Sequence, residues 1–229
     1  MAYILSIETS TQVCSVAIAS DGLVIDSRES FDDKTHASLL TVFIDELLKS
    51  NKLQVKDLQA VSVSQGPGSY TGLRIGVSVA KGLCYAAGLP LIAVNTLKAM
   101  ALMAKESMTD SSVLLCPMID ARRMEVYSEL FDYNLTEKRG TIAEVIDSNS
   151  YLEVLAKQQV AFFGNGAAKC SELFLNRNAQ FIDNIYPSAK YMAALAQEAF
   201  NNKQFVDVAY FEPFYLKDFV ATIPKRRMF

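Results

Sequence analysis

The sequence predicts an α/β protein of two lobes, each built on a mixed β-sheet flanked by helices. Three observations carry this. Short apolar runs of strand length alternate with helical periodicities along the first hundred residues. A polar stretch, Ser107-Met108-Thr109-Asp110-Ser111-Ser112, breaks the pattern near the middle. The part that follows again opens on strands and then turns to helices. The lobes are therefore placed at residues 1–108 and 109–229. With 229 residues, 51% of them hydrophobic, the chain can build a core without disulfides or metals, and collagen-like and disordered classes are excluded.

Tyr3–Ile7 reads as a strand, and Val13–Ala19 and Leu23–Ser30 as a hairpin turning at Ser20-Asp21-Gly22. His36–Lys49 has apolar residues at 39, 40, 43, 44, 47 and 48, a helical spacing, with Thr35 as its expected N-cap. A strand is expected at Ala60–Ser64 and a helix over about Tyr70–Ala87, stopped by Gly88 and Pro90. Leu91–Val94 is a strand and Leu97–Lys105 a helix. In the second part, Val113–Ile119 and Glu125–Asp132 read as a strand pair around Asp120-Ala121-Arg122-Arg123. Helices are expected near Ser148–Lys157, Ala167–Asn176 and Ser188–Asn202, with Val160–Phe163 as a strand between the first two.

Lys plus Arg number 22 and Asp plus Glu 25, a net charge of −3, which argues against tight autonomous binding of nucleic acid. The basic Lys225-Arg226-Arg227 leaves room for a local contact. Cys14, Cys84, Cys116 and Cys170 are far apart, and with His36 the single histidine no metal-finger spacing exists; buried reduced thiols are expected. The opening residues lack the pattern of a secretory leader, and no uncharged apolar run reaches membrane-span length. A cytoplasmic protein without membrane contact is expected.

Three constellations could carry chemistry. Gly72, Gly76 and Ala80 recur every four residues on one face of the second helix, with Gly68 continuing the spacing. Glycine costs about 1 kcal/mol per helical position, so close approach of another backbone is expected there, either within the lobe or from a partner helix. Gln65-Gly66-Pro67-Gly68-Ser69 leads from a strand into that helix, a geometry that can receive an anion or simply make a tight turn; it is not a P-loop. Glu8, Thr9 and Ser10 end the first strand, where they can hold a hydrated Mg²⁺ beside phosphates or cap a turn. His36 has no assignable nucleophile.

The runs Ile4–Ser10, Cys14–Ile18 and Gln65–Gly76, with Lys81-Gly82-Leu83, Val94–Leu97, Asp120–Tyr127 and Glu212–Lys217, resemble the TsaB (YeaZ) family, densely over the first hundred residues and in patches thereafter. The resemblance implies an actin-like, sugar-kinase-like (ribonuclease H-like) fold. It also implies a role in making threonylcarbamoyladenosine beside the tRNA anticodon, as a non-catalytic partner of TsaD working with the ATPase TsaE. Docking would use the first two helices, and a homodimer would use the same surface; tRNA is met through the complex.

His36, Leu40, Phe43, Leu47, Gly72, Ile75, Gly76 and Val79 are the expected partner contacts. Glu8, Thr9, Ser10, Gly66 and Gly68 form a possible degenerate nucleotide site. No cofactor is required by the chain itself, with ATP or ADP and Mg²⁺ possible at the complex. The metal-binding histidine pair of the catalytic paralogue corresponds to Thr96 and Met100 here, and no Asp-x-Gly triplet occurs, which weighs against intrinsic catalysis. The alternative is an ATP-dependent kinase or carbamoyl transferase active alone; a peptidase ranks last for want of a nucleophile and base.

Overall fold

The computed structural model describes residues 1–32, 36–174 and 178–216. Strands β1 (Tyr3–Glu8), β2 (Cys14–Ser20), β3 (Leu23–Ser30), β4 (Ala60–Gly66) and β5 (Leu91–Asn95) form a sheet in the order β3-β2-β1-β4-β5. β1 and β2 pair antiparallel, as do β2 and β3, whereas β1–β4 and β4–β5 are parallel. Strands β6 (Leu114–Asp120), β7 (Glu125–Phe131), β8 (Glu137–Val145), β9 (Val160–Phe163) and β10 (Ala179–Ile182) repeat that topology in the order β10-β9-β6-β7-β8. The same antiparallel start and parallel continuation recur. Two copies of one topology give the actin-like arrangement.

Helices α1 (His36–Ser50) and α2 (Tyr70–Ala87) cover one face of the first sheet, burying Leu40, Ile44, Leu47, Val77 and Cys84 against Leu5, Ile7, Val16 and Val63. Helix α2 begins on Ser69, whose hydroxyl accepts from the Gly72 amide, and ends at Gly88 in the left-handed conformation. The equivalent connections of the second lobe are much shorter: α4 is Leu152–Leu155, and a 3-10 turn over Ala168–Cys170 stands where α2 stands in the first lobe.

Helix α3 (Thr96–Glu106) follows the last strand of the first sheet, yet Leu97, Met100, Ala101 and Ala104 pack on Leu115, Ile119 and Phe163 of the second. Helix α5 (Ala189–Asn201) follows the last strand of the second sheet and buries Ala189, Met192 and Ala196 against Ile4, Ala17 and Ile92 of the first. The lobes are thus joined by an exchange of helices. This corrects the expected contiguous second lobe at 109–229. The change of sheet does fall between Asn95 and Leu114, but α5 and residues 206–214 return to the first lobe, where Val206 pairs with Leu91 and the Phe214 amide reaches the Gln65 carbonyl.

Other expectations are corrected too. Strands β8 and β10 lack a clean apolar alternation; both lie at sheet edges and are only partly buried. The helix expected at Ser148–Lys157 shrinks because Asp147 turns the chain back onto the amides of Asn149 and Ser150, and Tyr151 sits at φ 64°. That strained backbone sends the Tyr151 hydroxyl into a buried polar knot with Ser128, Glu144 and Arg139. The helix expected at Ala167–Asn176 is reduced to the 3-10 turn. Thr35, the tail Lys225–Arg227 and Asn176 lie outside the described residues. All four cysteines are free and buried, and burial pushes the Cys14 and Cys84 thiols up to about 11.

A Cβ at Gly72 would collide with the Thr9 carbonyl oxygen, a backbone atom that cannot swing aside. Gly72→Ala would stabilise a free helix by about 1 kcal/mol; here it is expected to lower folding stability by at least about 1 kcal/mol in urea denaturation. A raised midpoint would show that the approach is looser than described.

Candidate functional site

The ends of β1 and β4 and the start of α2 meet in one place. Glu8, Thr9 and Ser10 are fully buried. The Glu8 Oε1 accepts from the Ser10 amide at 2.6 Å, the Thr9 hydroxyl donates to the Gly72 carbonyl at 2.8 Å, and the Ser69 amide donates to the Ser10 carbonyl at 2.6 Å. Cβ atoms at Gly68 and Gly72 would run into the Ser10 and Thr9 carbonyl oxygens, and one at Gly76 into the Thr9 hydroxyl. The glycine face is therefore filled by the chain's own β1–β2 turn. From the other side the Phe214 carbonyl lies where a Gly66 Cβ would go, and Gly66 sits at φ 108°.

The sequence left this loop as either an anion-receiving turn or a plain tight turn; the structure packs it as a tight joint against the chain's own backbone. Glu8, Thr9, Ser10, Gly66 and Gly68 are brought together as expected, with the Glu8 Oε1 and the Thr9 hydroxyl engaged by neighbouring backbone. The Glu8 Oε2, the Ser10 hydroxyl and the Thr96 hydroxyl are buried with no hydrogen-bond partner among the described residues. Burial pushes the Glu8 carboxyl above its ordinary range, against the hydrogen bond from the Ser10 amide. A carboxyl driven toward its neutral form is a poor hard-cation ligand, and no group of three or more His, Cys, Asp or Glu among the described residues could hold a metal.

The expected partner contacts divide by exposure. Leu40 and Leu47 are buried in the first lobe's own core, and Gly72 and Gly76 are spent on Thr9, so none of these four has surface to offer. His36 is buried with its Nε2 3.3 Å from the Val13 carbonyl oxygen, which ties the head of α1 to the start of β2. Phe43, Ile75 and Val79 are partly exposed at the core margin. The outward face of α2 is instead Thr71, Arg74, Ser78, Gly82, Tyr85 and Ala86, flanked by Ile75 and Val79; Val42 of α1 is exposed as well. Gly82 is the residue that sequence reasoning passed over. Nothing among the described residues lies within 4 Å of where its Cβ would be, so no contact there explains a glycine in the middle of this helix. Its signal was its place outside the four-residue series.

A strap formed by residues 206–215 runs along the side of α2. The Lys81 Nζ donates to the Ala209 carbonyl at 3.0 Å, and the Arg74 Nε donates to the Tyr215 hydroxyl at 3.2 Å while its guanidinium stacks 4.3 Å from the centre of the Tyr70 ring. Between the lobes, buried Glu129 accepts from Asn95 at 2.9 Å and from Thr141 at 2.6 Å, a polar tie across the seam. In the second lobe, the loop after β6 carries Arg122 at φ 71° and Arg123 at φ 52°. Left-handed backbone costs a non-glycine residue about 1 kcal/mol or more, so two in succession need a cause.

Residues 30–225 match the family described as TsaD, tRNA N6-adenosine threonylcarbamoyltransferase. The chain is 33% identical to a Haemophilus influenzae protein named tRNA threonylcarbamoyladenosine biosynthesis protein TsaB, over 95% of this chain and 94% of that one. It is 30% identical to the Escherichia coli protein of the same name, over 95% and 96%. Among solved structures, YeaZ from Pseudomonas aeruginosa superposes with a TM-score of 0.82 at 25% identity, covering 94% of this chain and all of that one.

The raised Glu8 carboxyl sets a pH dependence. Its folded form holds the proton where the unfolded chain has already released it, so its contribution to stability is greatest below the ordinary value of 4.5 and declines as pH rises through the folded value. Glu8→Gln keeps the acceptor for the Ser10 amide. The melting-temperature gain of this variant over the parent is expected to grow as pH rises above the ordinary carboxyl value of 4.5. A gain that shrinks with pH would mean that Glu8 is ionised and partnered in the fold.

Proposed function

Because this chain belongs to the TsaB (YeaZ) family of tRNA threonylcarbamoyladenosine biosynthesis proteins, we propose that it acts as the non-catalytic partner that binds and stabilises TsaD. The observation that carries this reading is the outward face of α2. Thr71, Ser78, Gly82 and Ala86 present short side chains, with the exposed Arg74 and Tyr85 on one side and the apolar Ile75 and Val79 on the other, and Gly82 leaves open space above the backbone. A helix keeps such a position when another backbone comes close to it, and the first lobe already satisfies its other glycines internally. The partner in this reading is the matching helix pair of TsaD, forming a four-helix contact with α1 and α2. Of the residues named from the sequence, Phe43, Ile75 and Val79 remain as margin contacts; Ser78 and Gly82 join them at the centre.

Residue chemistry supports the non-catalytic half of the proposal. The strand-end carboxylate is buried and drawn toward its neutral form, and the glycine loop holds the chain's own carbonyls. The chain then needs no cofactor of its own. ATP or ADP with Mg²⁺, and the ATPase TsaE, belong to the assembled complex, and tRNA is met through it. A homodimer of the chain alone would use the same α1–α2 face.

The direct test is threonylcarbamoyladenosine formation with TsaD, TsaE, threonylcarbamoyl-adenylate, ATP and tRNA, with and without this chain, and with this chain in the absence of TsaD. Product is expected only when both proteins are present; product without TsaD overturns the reading. At residue level, Gly82→Arg adds a bulky side chain where the fold leaves space and replaces a poor helix former. It is expected to keep or raise the melting temperature while weakening TsaD binding, by calorimetry, by at least about tenfold, a loss of about 1.4 kcal/mol. Unchanged affinity would remove this face from the interface.

A further inference from the structure

We propose that the loop Arg122–Met124, between β6 and β7, is a phosphate-contacting element that grips the tRNA backbone; this rests on the reading above that the chain works in a tRNA-modifying assembly. The loop breaks its local rule. Positive φ favours glycine or asparagine, yet both strained positions, Arg122 at 71° and Arg123 at 52°, carry arginine. Both residues are exposed, and among the described residues neither guanidinium makes a hydrogen bond or an ion pair.

The rest of the loop is tied down. The Lys169 Nζ donates to the Asp120 carboxylate, to the Arg123 carbonyl at 2.8 Å and to the Glu125 carbonyl at 2.6 Å. The Asp120 Oδ1 accepts from the Arg122 amide at 3.0 Å, and the Asn165 Oδ1 accepts from the Asp120 amide at 3.0 Å. The Met124 carbonyl accepts from the Ile146 amide at 2.7 Å. An ordinary exposed hairpin loop needs no buttress from two other segments, the turn carrying Asn165 and Lys169 and the chain at Ile146. This one is held in a costly shape whose visible product is two adjacent, unoccupied guanidiniums on a rigid base.

The chemistry of that pair selects the ligand. Guanidinium forks bind phosphate oxygens bidentately, and two of them in sequence fit successive phosphates of a polynucleotide strand. The Lys169 charge is already met by Asp120, so it buttresses the loop without competing for the ligand. A chain of net charge −3 does not bind RNA strongly by itself, so the loop contributes a local contact within an assembly whose main RNA affinity lies elsewhere.

The test compares the complex of this chain with TsaD, parent against Arg122→Ala/Arg123→Ala, in binding of unmodified tRNA transcript by fluorescence anisotropy across a salt series. Assembly with TsaD is expected to be unchanged. tRNA affinity should fall by about tenfold at about 0.1 M salt, and the slope of log affinity against log salt should flatten by about 1.5 to 2. Equal affinity and equal slope overturn the proposal, and so does a weakened assembly with TsaD, which would make the loop a protein contact. A second variant, Arg122→Asn/Arg123→Gly, suits the backbone better. It is expected to melt higher than the parent and to lose tRNA binding to the same degree; a lower melting temperature would show that the arginines serve the fold. If the parent chain itself fails to assemble with TsaD, the partner reading fails and the loop proposal, which places its contact inside that assembly, falls with it; unchanged tRNA binding by an assembled double variant overturns the loop alone.

Discussion

The approach of α2 to the turn after β1 governs the first lobe. Gly68, Gly72 and Gly76 bring a helix backbone against Ser10 and Thr9 so closely that a methyl group at any of them would clash. Much follows from that contact. It buries Glu8 and raises its carboxyl, and it spends the anion-binding potential of the loop before α2 on the chain's own carbonyls. It also fixes which face of α2 is inward. With Gly72, Gly76, Leu73, Val77, Ala80 and Cys84 turned in, Ser78 and Gly82 must turn out. The same rigid-body constraint that closes a candidate ligand site thus exposes a candidate docking face.

The two lobes show how one topology can be used differently. Both sheets have the same strand order, but the connections that are long helices in the first lobe are a four-residue helix and a 3-10 turn in the second. The first lobe therefore has two helices with outward surfaces to spare. In the second, the corresponding turn carries Lys169, which holds the β6–β7 loop. The exchange of α3 and α5 between sheets makes the lobes interdependent, since each sheet loses one covering helix if the other unfolds. Glu129, shared between Asn95 and Thr141, adds a directional bond to this apolar seam.

Local conflicts in the chain separate into two kinds. Gly72 and Gly76 cost helix propensity, and the cost is explained by a contact within the molecule. Gly82 in α2 costs helix propensity with no compensating contact among the described residues, and the strained backbone at Arg122–Arg123 is held by Asp120 and Lys169 while neither guanidinium makes a hydrogen bond or ion pair there. Positions of the second kind are the ones that the two proposals above assign to external partners. Burial alone would not have found them, because all three residues are exposed.

The sequence by itself determined the α/β class, the alternation of the first five strands with three helices, the bounds of α1, α2 and α3 to within a residue or so, and the buried, reduced state of the cysteines. These are written in short-range periodicity, caps and stop residues, which act over a few residues and can be read locally. It also showed that α2 needed a close neighbour, because its glycines are four apart. Only the tertiary structure decided that the neighbour is the turn at Thr9–Ser10, about sixty positions away in the chain. Only it placed α5 on the first sheet, and only it turned Leu40 and Leu47 inward and Gly82 outward. β8 and β10 also stayed hidden, because a partly buried edge strand takes its identity from hydrogen bonds to its neighbour and not from its own pattern. A helix that is apolar over a wide arc does not say which part of the arc meets its own sheet; that choice belongs to packing among distant segments.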